Sequence, residues 1–182
     1  MRRRARSAAL LLATIATIAI LAGPALGGIS AGRYAIGDSV MLGARVELRS
    51  DGFRVDAVES RRFSDAVPLV RRLALAGHLP VDLIVALGTN GLIDGADCDA
   101  IVRRAGLDRH VFLVTVKVPR SYRDANNARL TACANRHDNA SVIDWYGHSR
   151  YRTAWFYPDG YHLTPVGRHA YASFVDHSVD AA

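Results

Sequence analysis

Two stretches of the chain, Leu83-Ile84-Val85-Ala86-Leu87 and the longer run from Val111 to Val118, are apolar at nearly every position, and segments of helical patterning flank both. A strand with one wet face alternates apolar and polar side chains. Near-continuous apolar runs are expected where helices cover both faces of a parallel sheet. Tyr34-Ala35-Ile36, Phe53 to Val58 and Val142-Ile143 read as three further strands. Amphipathic segments fall at about 39–49, 64–77, 96–105 and 123–136, and a last helix follows Thr164-Pro165. The resulting order, βαβαβαβαβα, predicts a doubly wound α/β domain with a five-stranded parallel sheet. In the order 2-1-3-4-5, strands one and three are neighbours, and the ligand crevice lies at the carboxyl ends of the strands.

The first 28 residues read differently from the rest. Met1-Arg2-Arg3-Arg4-Ala5-Arg6 leads into an apolar segment from Ala8 to Ala22, and Ala25-Leu26-Gly27 follows with small residues at two positions. A basic start, a short apolar stretch and small residues make an export signal, with cleavage expected near Gly27. The alternative is an uncleaved membrane anchor, long enough for a span of about 20 residues if 23–29 join it. Under either reading residues 29–182 form the working domain and lie outside the cytoplasm.

Four of the 23 basic residues belong to that leader, which leaves 19 against 17 acidic ones, a net charge of +2 for the domain. The remaining basic doublets, Arg61-Arg62, Arg71-Arg72 and Arg103-Arg104, are dispersed and form no nucleic-acid footprint. About 150 residues suffice for one domain with a real core, and a monomer is expected. Cys98 and Cys133 are the only cysteines, and in an exported chain an even pair predicts one disulfide. A zinc site built on Cys133 and His137 lacks convincing further ligands, so no metal is expected.

The residues just after each strand are the candidates for chemistry. After strand one come Gly37-Asp38-Ser39; after strand two, Glu59-Ser60-Arg61; after strand three, Gly88-Thr89-Asn90-Gly91; after strand five, Asp144-Trp145. Ser39 begins a helix, so its hydroxyl is either a nucleophile beside the free N–H groups of the first turn or a helix cap, a role open to Asp38 as well. A serine nucleophile needs a base, normally a histidine oriented by a carboxylate. Of seven histidines, only His162 has an aspartate three residues earlier, in Asp159-Gly160-Tyr161-His162, and Thr164-Pro165 then starts a helix that pins the loop. Asn90, at a neighbouring strand end, is placed to donate to an oxyanion, although a turn asparagine of ordinary kind has the same sequence. Trp155-Phe156-Tyr157 and Trp145-Tyr146 either wall a pocket or pack a long loop.

In order and spacing, Gly37-Asp38-Ser39, Gly88-Thr89-Asn90 and Asp159-Gly160-Tyr161-His162 resemble the blocks of the SGNH (GDSL-like) hydrolases, over nearly the whole domain. The resemblance implies a flavodoxin-like three-layer α/β/α sandwich and a serine esterase or O-acyltransferase that uses no metal or other cofactor. It implies Ser39 as nucleophile, His162 as base, Asp159 as its orienter, and an oxyanion hole made by the Ser39 backbone N–H and Asn90. Two departures stand out. No glycine follows strand two, in Val58-Glu59-Ser60-Arg61-Arg62, so a third donor is either missing or supplied by the backbone near Ser60 or Arg61; and Gly91 stands where many members carry aspartate. Both departures are similar to the SGNH domains at the C-terminus of multi-pass membrane O-acyltransferases that modify cell-envelope glycans. The implied substrates are small acyl esters, O-acetyl groups of glycans in particular, and the implied partner is a membrane acyltransferase. A non-catalytic glycan-binding or accessory module is the competing reading, motivated by the missing glycine.

Overall fold

A computed structural model describes residues 30–182; the expected signal or anchor at 1–28 lies outside the described residues. Five parallel strands, β1 (Ser30–Gly37), β2 (Phe53–Ala57), β3 (Pro80–Ala86), β4 (His110–Val114) and β5 (Ala140–Ile143), form one sheet in the order β2-β1-β3-β4-β5. This is the order expected from the sequence.

Alternation along the central strands explains their uniform apolarity. Leu83 and Val85 of β3, with Val111 and Leu113 of β4, join one core cluster; Ile84 and Ala86, with Phe112 and Val114, join the other. Helices α3 (Ala66–Leu75), α4 (Gly95–Ala105) and α5 (Arg123–Ala134) cover the first face, contributing Val70, Ile101 and Leu130. On the second face lie α1 (Ser39–Gly43), α2 (Arg45–Ser50) and α7 (Pro165–Asp180), contributing Met41, Leu48 and Tyr171. Each apolar side chain removed from water on either face contributes roughly 1.5–3 kcal/mol, and neither face of the sheet is left wet. The disulfide expected between Cys98 and Cys133 is present and ties α4 to α5, with Cα atoms 6.3 Å apart.

Several bounds differ from the sequence reading, for identifiable reasons. The helix expected over 39–49 is two short helices, α1 and α2, that meet at Ala44. The helix expected from 64 begins as a 3-10 turn, Phe63–Asp65, before α3. The run expected as a strand through Val118 leaves the sheet after Val114, because Asn127 of α5 takes over its hydrogen bonds. That side chain accepts the Val116 N–H at 2.8 Å and donates to the Val116 carbonyl at 3.1 Å. The short helix α6 (Trp145–Ser149), capped by Asp144, was not anticipated. Among the described residues, no helix is long and apolar enough to cross a membrane.

Candidate active site

Strand β1 ends at Gly37, in register with Ala57 of β2 and Ala86 of β3, and the chain turns directly into α1. Gly37 has no room for a side chain, since a Cβ there would sit 2.4 Å from that of Met41. The turn therefore closes tightly and sets Ser39 at the crevice. Asp38 takes the cap: its carboxylate accepts the Val40 N–H at 3.0 Å, which frees the Ser39 hydroxyl.

That hydroxyl meets His162. Ser39 Oγ lies 3.0 Å from His162 Nε2, and His162 Nδ1 lies 2.7 Å from Asp159 Oδ2. A carboxylate only accepts, so Nδ1 carries the proton, and in the neutral ring Nε2 is the acceptor for the serine proton. The turn that makes this alignment is well tied. Asp159 Oδ1 accepts the N–H groups of Tyr161 and His162, both at 3.0 Å, and Gly160 adopts φ +81°, a conformation favoured for glycine. Burial pushes the Asp159 carboxyl up, but these bonds and that from the His162 ring outweigh it and hold the group below its usual range. Beyond the turn, Phe156 and Leu163 form an antiparallel bridge, and Thr164 caps α7 by accepting the Gly167 N–H. The Asp159 and His162 side chains remain 40% and 36% exposed, so the base and its carboxylate stand open to solvent.

Asn90 lies on the loop after β3. Its Nδ2 donates to the Arg61 carbonyl at 3.2 Å, which leaves its second N–H for another partner. Ser60 is exposed and adopts φ +59°, alone among the described non-glycine residues in having positive φ. The Arg61 side chain turns inward to Gly37 and Asp56. The aromatic segment divides. Trp155 stacks on Trp145 with centroids 5.8 Å apart, and Phe156 is buried, whereas Tyr157 stays exposed beside Asp159.

Three residues absent from the sequence reading shape the site. Asn126 of α5 is fully buried; it accepts the Ile93 N–H at 2.9 Å and donates to the carbonyls of Gly88 and Gly91, at 2.9 and 2.8 Å, so it folds the loop that carries Asn90. Tyr122 donates its hydroxyl to the Thr89 carbonyl at 2.7 Å. Lys117 donates to the Gly160 carbonyl, and its ammonium sits 3.8 Å from the centroid of the Phe156 ring. For Asn126 a signal existed: it shares the core-facing stripe of α5 with Leu130 and Cys133, where a polar residue needs buried partners. Lys117 and Tyr122 bond across 43 and 33 residues of sequence, and no local pattern announces such contacts.

A hydroxyl whose proton faces an imidazole, itself held by a carboxylate, on a five-stranded α/β sheet defines the serine-hydrolase class of site. Comparison with known proteins narrows the class. No protein-family model matches the chain. The peptidoglycan O-acetyltransferase OatA of Listeria monocytogenes is 31% identical over 144 residues, which are 78% of this chain and 23% of that protein. Among solved structures, the C-terminal catalytic domain of Streptococcus pneumoniae OatA, carrying a methylsulfonyl adduct, has a TM-score of 0.77 at 23% identity and covers 85% of this chain and 96% of that one. A GDSL-like lipase from Bacteroides thetaiotaomicron has a TM-score of 0.64 at 16% identity, over 88% of this chain and 92% of that one. The two structures speak for the fold. The chain spans about a fifth of the length of the curated relatives it matches. Its fold is that of the SGNH (GDSL-like) hydrolases, and over the matched stretch its sequence resembles that of O-acetyltransferases.

Proposed function

We propose that the protein is an extracytoplasmic serine enzyme that moves small acyl groups, O-acetyl groups of envelope glycans in particular, through an acyl-enzyme on Ser39. The observation that carries this reading is the pair of hydrogen bonds linking Asp159, His162 and Ser39, at 2.7 and 3.0 Å. Ser39 Oγ attacks the acyl carbon while His162 Nε2 takes its proton. The tetrahedral oxyanion receives the Ser39 backbone N–H, the Asn90 amide and a backbone donor near Ser60 or Arg61. Collapse expels the alcohol, which leaves with the proton from His162. Water or a glycan hydroxyl then gives up its proton to His162 and resolves the ester, giving hydrolysis or transfer by one path.

The solvent-open base and carboxylate suit a polymer, because a half-exposed pair leaves room for a chain to lie across it. The names of the relatives, peptidoglycan O-acetyltransferases, support the acetyl group and the glycan. The basic, apolar leader supports export or anchoring, and in the transfer direction the donor comes from a membrane acyltransferase partner. The test is labelling of the exported protein by a fluorophosphonate and turnover of an aryl acetate. Both activities should vanish in Ser39→Ala; equal behaviour of the two proteins would refute the reading.

A further inference from the structure

The loop after β2 lacks a glycine and yet reaches the left-handed backbone region at Ser60, a conformation that costs a non-glycine residue about 1 kcal/mol or more. The residue that follows is an arginine with an unusual placement. Its side chain is only 10% exposed. Arg61 Nη1 donates to the carbonyls of Asp56 and Gly37, at 2.5 and 3.2 Å, and Nη2 donates to Asp56 Oδ1 at 2.7 Å. The other oxygen of Asp56 lies 3.4 Å from the Tyr34 hydroxyl. The Gly37 carbonyl, two residues before Ser39, also accepts the Val58 N–H at 3.2 Å. One guanidinium therefore ties the end of β1 to the end of β2, and the Arg61 carbonyl ties both to the loop after β3 by accepting from Asn90.

From this junction we infer that Arg61 is the positioning residue of the oxyanion corner, acting through Asn90. The inference rests on the Ser39 reading above. A free asparagine amide can turn its oxygen or its nitrogen toward the crevice, and an oxygen there would repel an oxyanion. The Arg61 carbonyl cannot donate, so it selects the nitrogen and leaves the second N–H of Asn90 for the developing charge. The guanidinium holds that carbonyl in place with a rigid fork that reaches two carbonyls and a carboxylate together, which a lysine ammonium does not reproduce. In this chain a clamped arginine does the ordering that a glycine-bearing loop does by its backbone alone.

The experiment measures kcat and KM on an aryl acetate, with thermal midpoints, for the wild type, Asn90→Ala, Arg61→Met, Arg61→Lys and the double variant Arg61→Met/Asn90→Ala. Loss of an oxyanion donor costs about a hundredfold in kcat, so Asn90→Ala should fall by that order and Arg61→Met by about tenfold or more, with KM little changed. Arg61→Lys should recover only part of the loss. Because Arg61 acts through Asn90, the double variant should be within about threefold of Asn90→Ala, a non-additivity that general destabilisation would not produce. Should Arg61→Met fail to fold, Asp56→Asn removes the carboxylate partner at nearly constant volume and is expected to show the same non-additivity. An Arg61→Met kcat close to wild type, or losses that multiply in the double variant, would overturn the inference while leaving Ser39 as nucleophile. Turnover that persists in Ser39→Ala would instead bring down the underlying reading, and the role of Arg61 with it.

Discussion

Asp38 and Ser39 divide two tasks that either could perform at the start of α1. Asp38 accepts the Val40 N–H and caps the helix, and Ser39 is thereby left to meet His162. The cap is buried to 1% exposure, and that burial has a measurable consequence.

Burial pushes the Asp38 carboxyl above its usual range, and the Val40 N–H, the neighbouring Thr89 and the charge of His162 offset this only in part. The folded state therefore holds the Asp38 proton more tightly than the unfolded chain does. Its contribution to stability is greatest below the unfolded carboxyl range, near 3.8, and declines as pH rises through the higher folded value. Asp38→Asn keeps an oxygen for Val40 and carries no charge. Urea midpoints measured from pH 3 upward should show the variant gaining on the wild type as pH rises and then levelling; a gap that moves the other way would contradict this.

Asp159→Asn should be worse than its small change in shape suggests. Two backbone N–H groups already occupy Oδ1, so an asparagine would keep its oxygen there and turn its NH2 toward His162 Nδ1. The ring would then carry its proton on Nε2 and could not accept from Ser39. A kcat loss of at least about a hundredfold, with KM little affected, is expected on an aryl acetate. A loss below about threefold would mean that the carboxylate does not set the tautomer.

Lys117→Met should loosen the turn that carries His162, since it removes the bond to the Gly160 carbonyl and the cation above Phe156. Stability should fall by about 1 kcal/mol, the ordinary worth of one such bond, and kcat should fall several-fold. Hydrogen exchange of the amides at 159–162 is the direct readout, with faster exchange expected in the variant.

The disulfide closes a loop of 35 residues and joins α4 to α5 across the face of the sheet opposite α1 and α7. On the loop-entropy scale its removal in Cys98→Ala/Cys133→Ala should lower stability by about 4 kcal/mol. Turnover at temperatures where the variant is folded should stay near that of the wild type, because Ser39 and His162 stand on other elements. Lost activity in a folded variant would show coupling between α5 and the crevice.

The parts of the fold that were legible in the sequence are those set by local pattern. The two central strands declared themselves by apolar runs, and the last helix by Thr164-Pro165 at its start. The approach of Asp159 to His162 was legible because it spans one turn. Less legible were features decided by distant partners. Val111 to Val118 looked like one strand, but Asn127 removes its second half from the sheet. The choice between Asp38 and Ser39 as cap depended on His162, 123 residues from Ser39. The left-handed Ser60 was hidden because the chain uses a clamped arginine beside it where sequence reading looks for glycine.

The central claim, an acyl-enzyme on Ser39, is tested most directly by intact-mass and peptide mass spectrometry of the protein quenched in acid during turnover of an aryl acetate. One acetyl group on the peptide that contains Ser39, absent from Ser39→Ala and accumulating in a variant slowed at resolution, is the predicted result. Turnover with no acyl group on that peptide, or an acyl group found on another residue and retained in Ser39→Ala, would contradict the account.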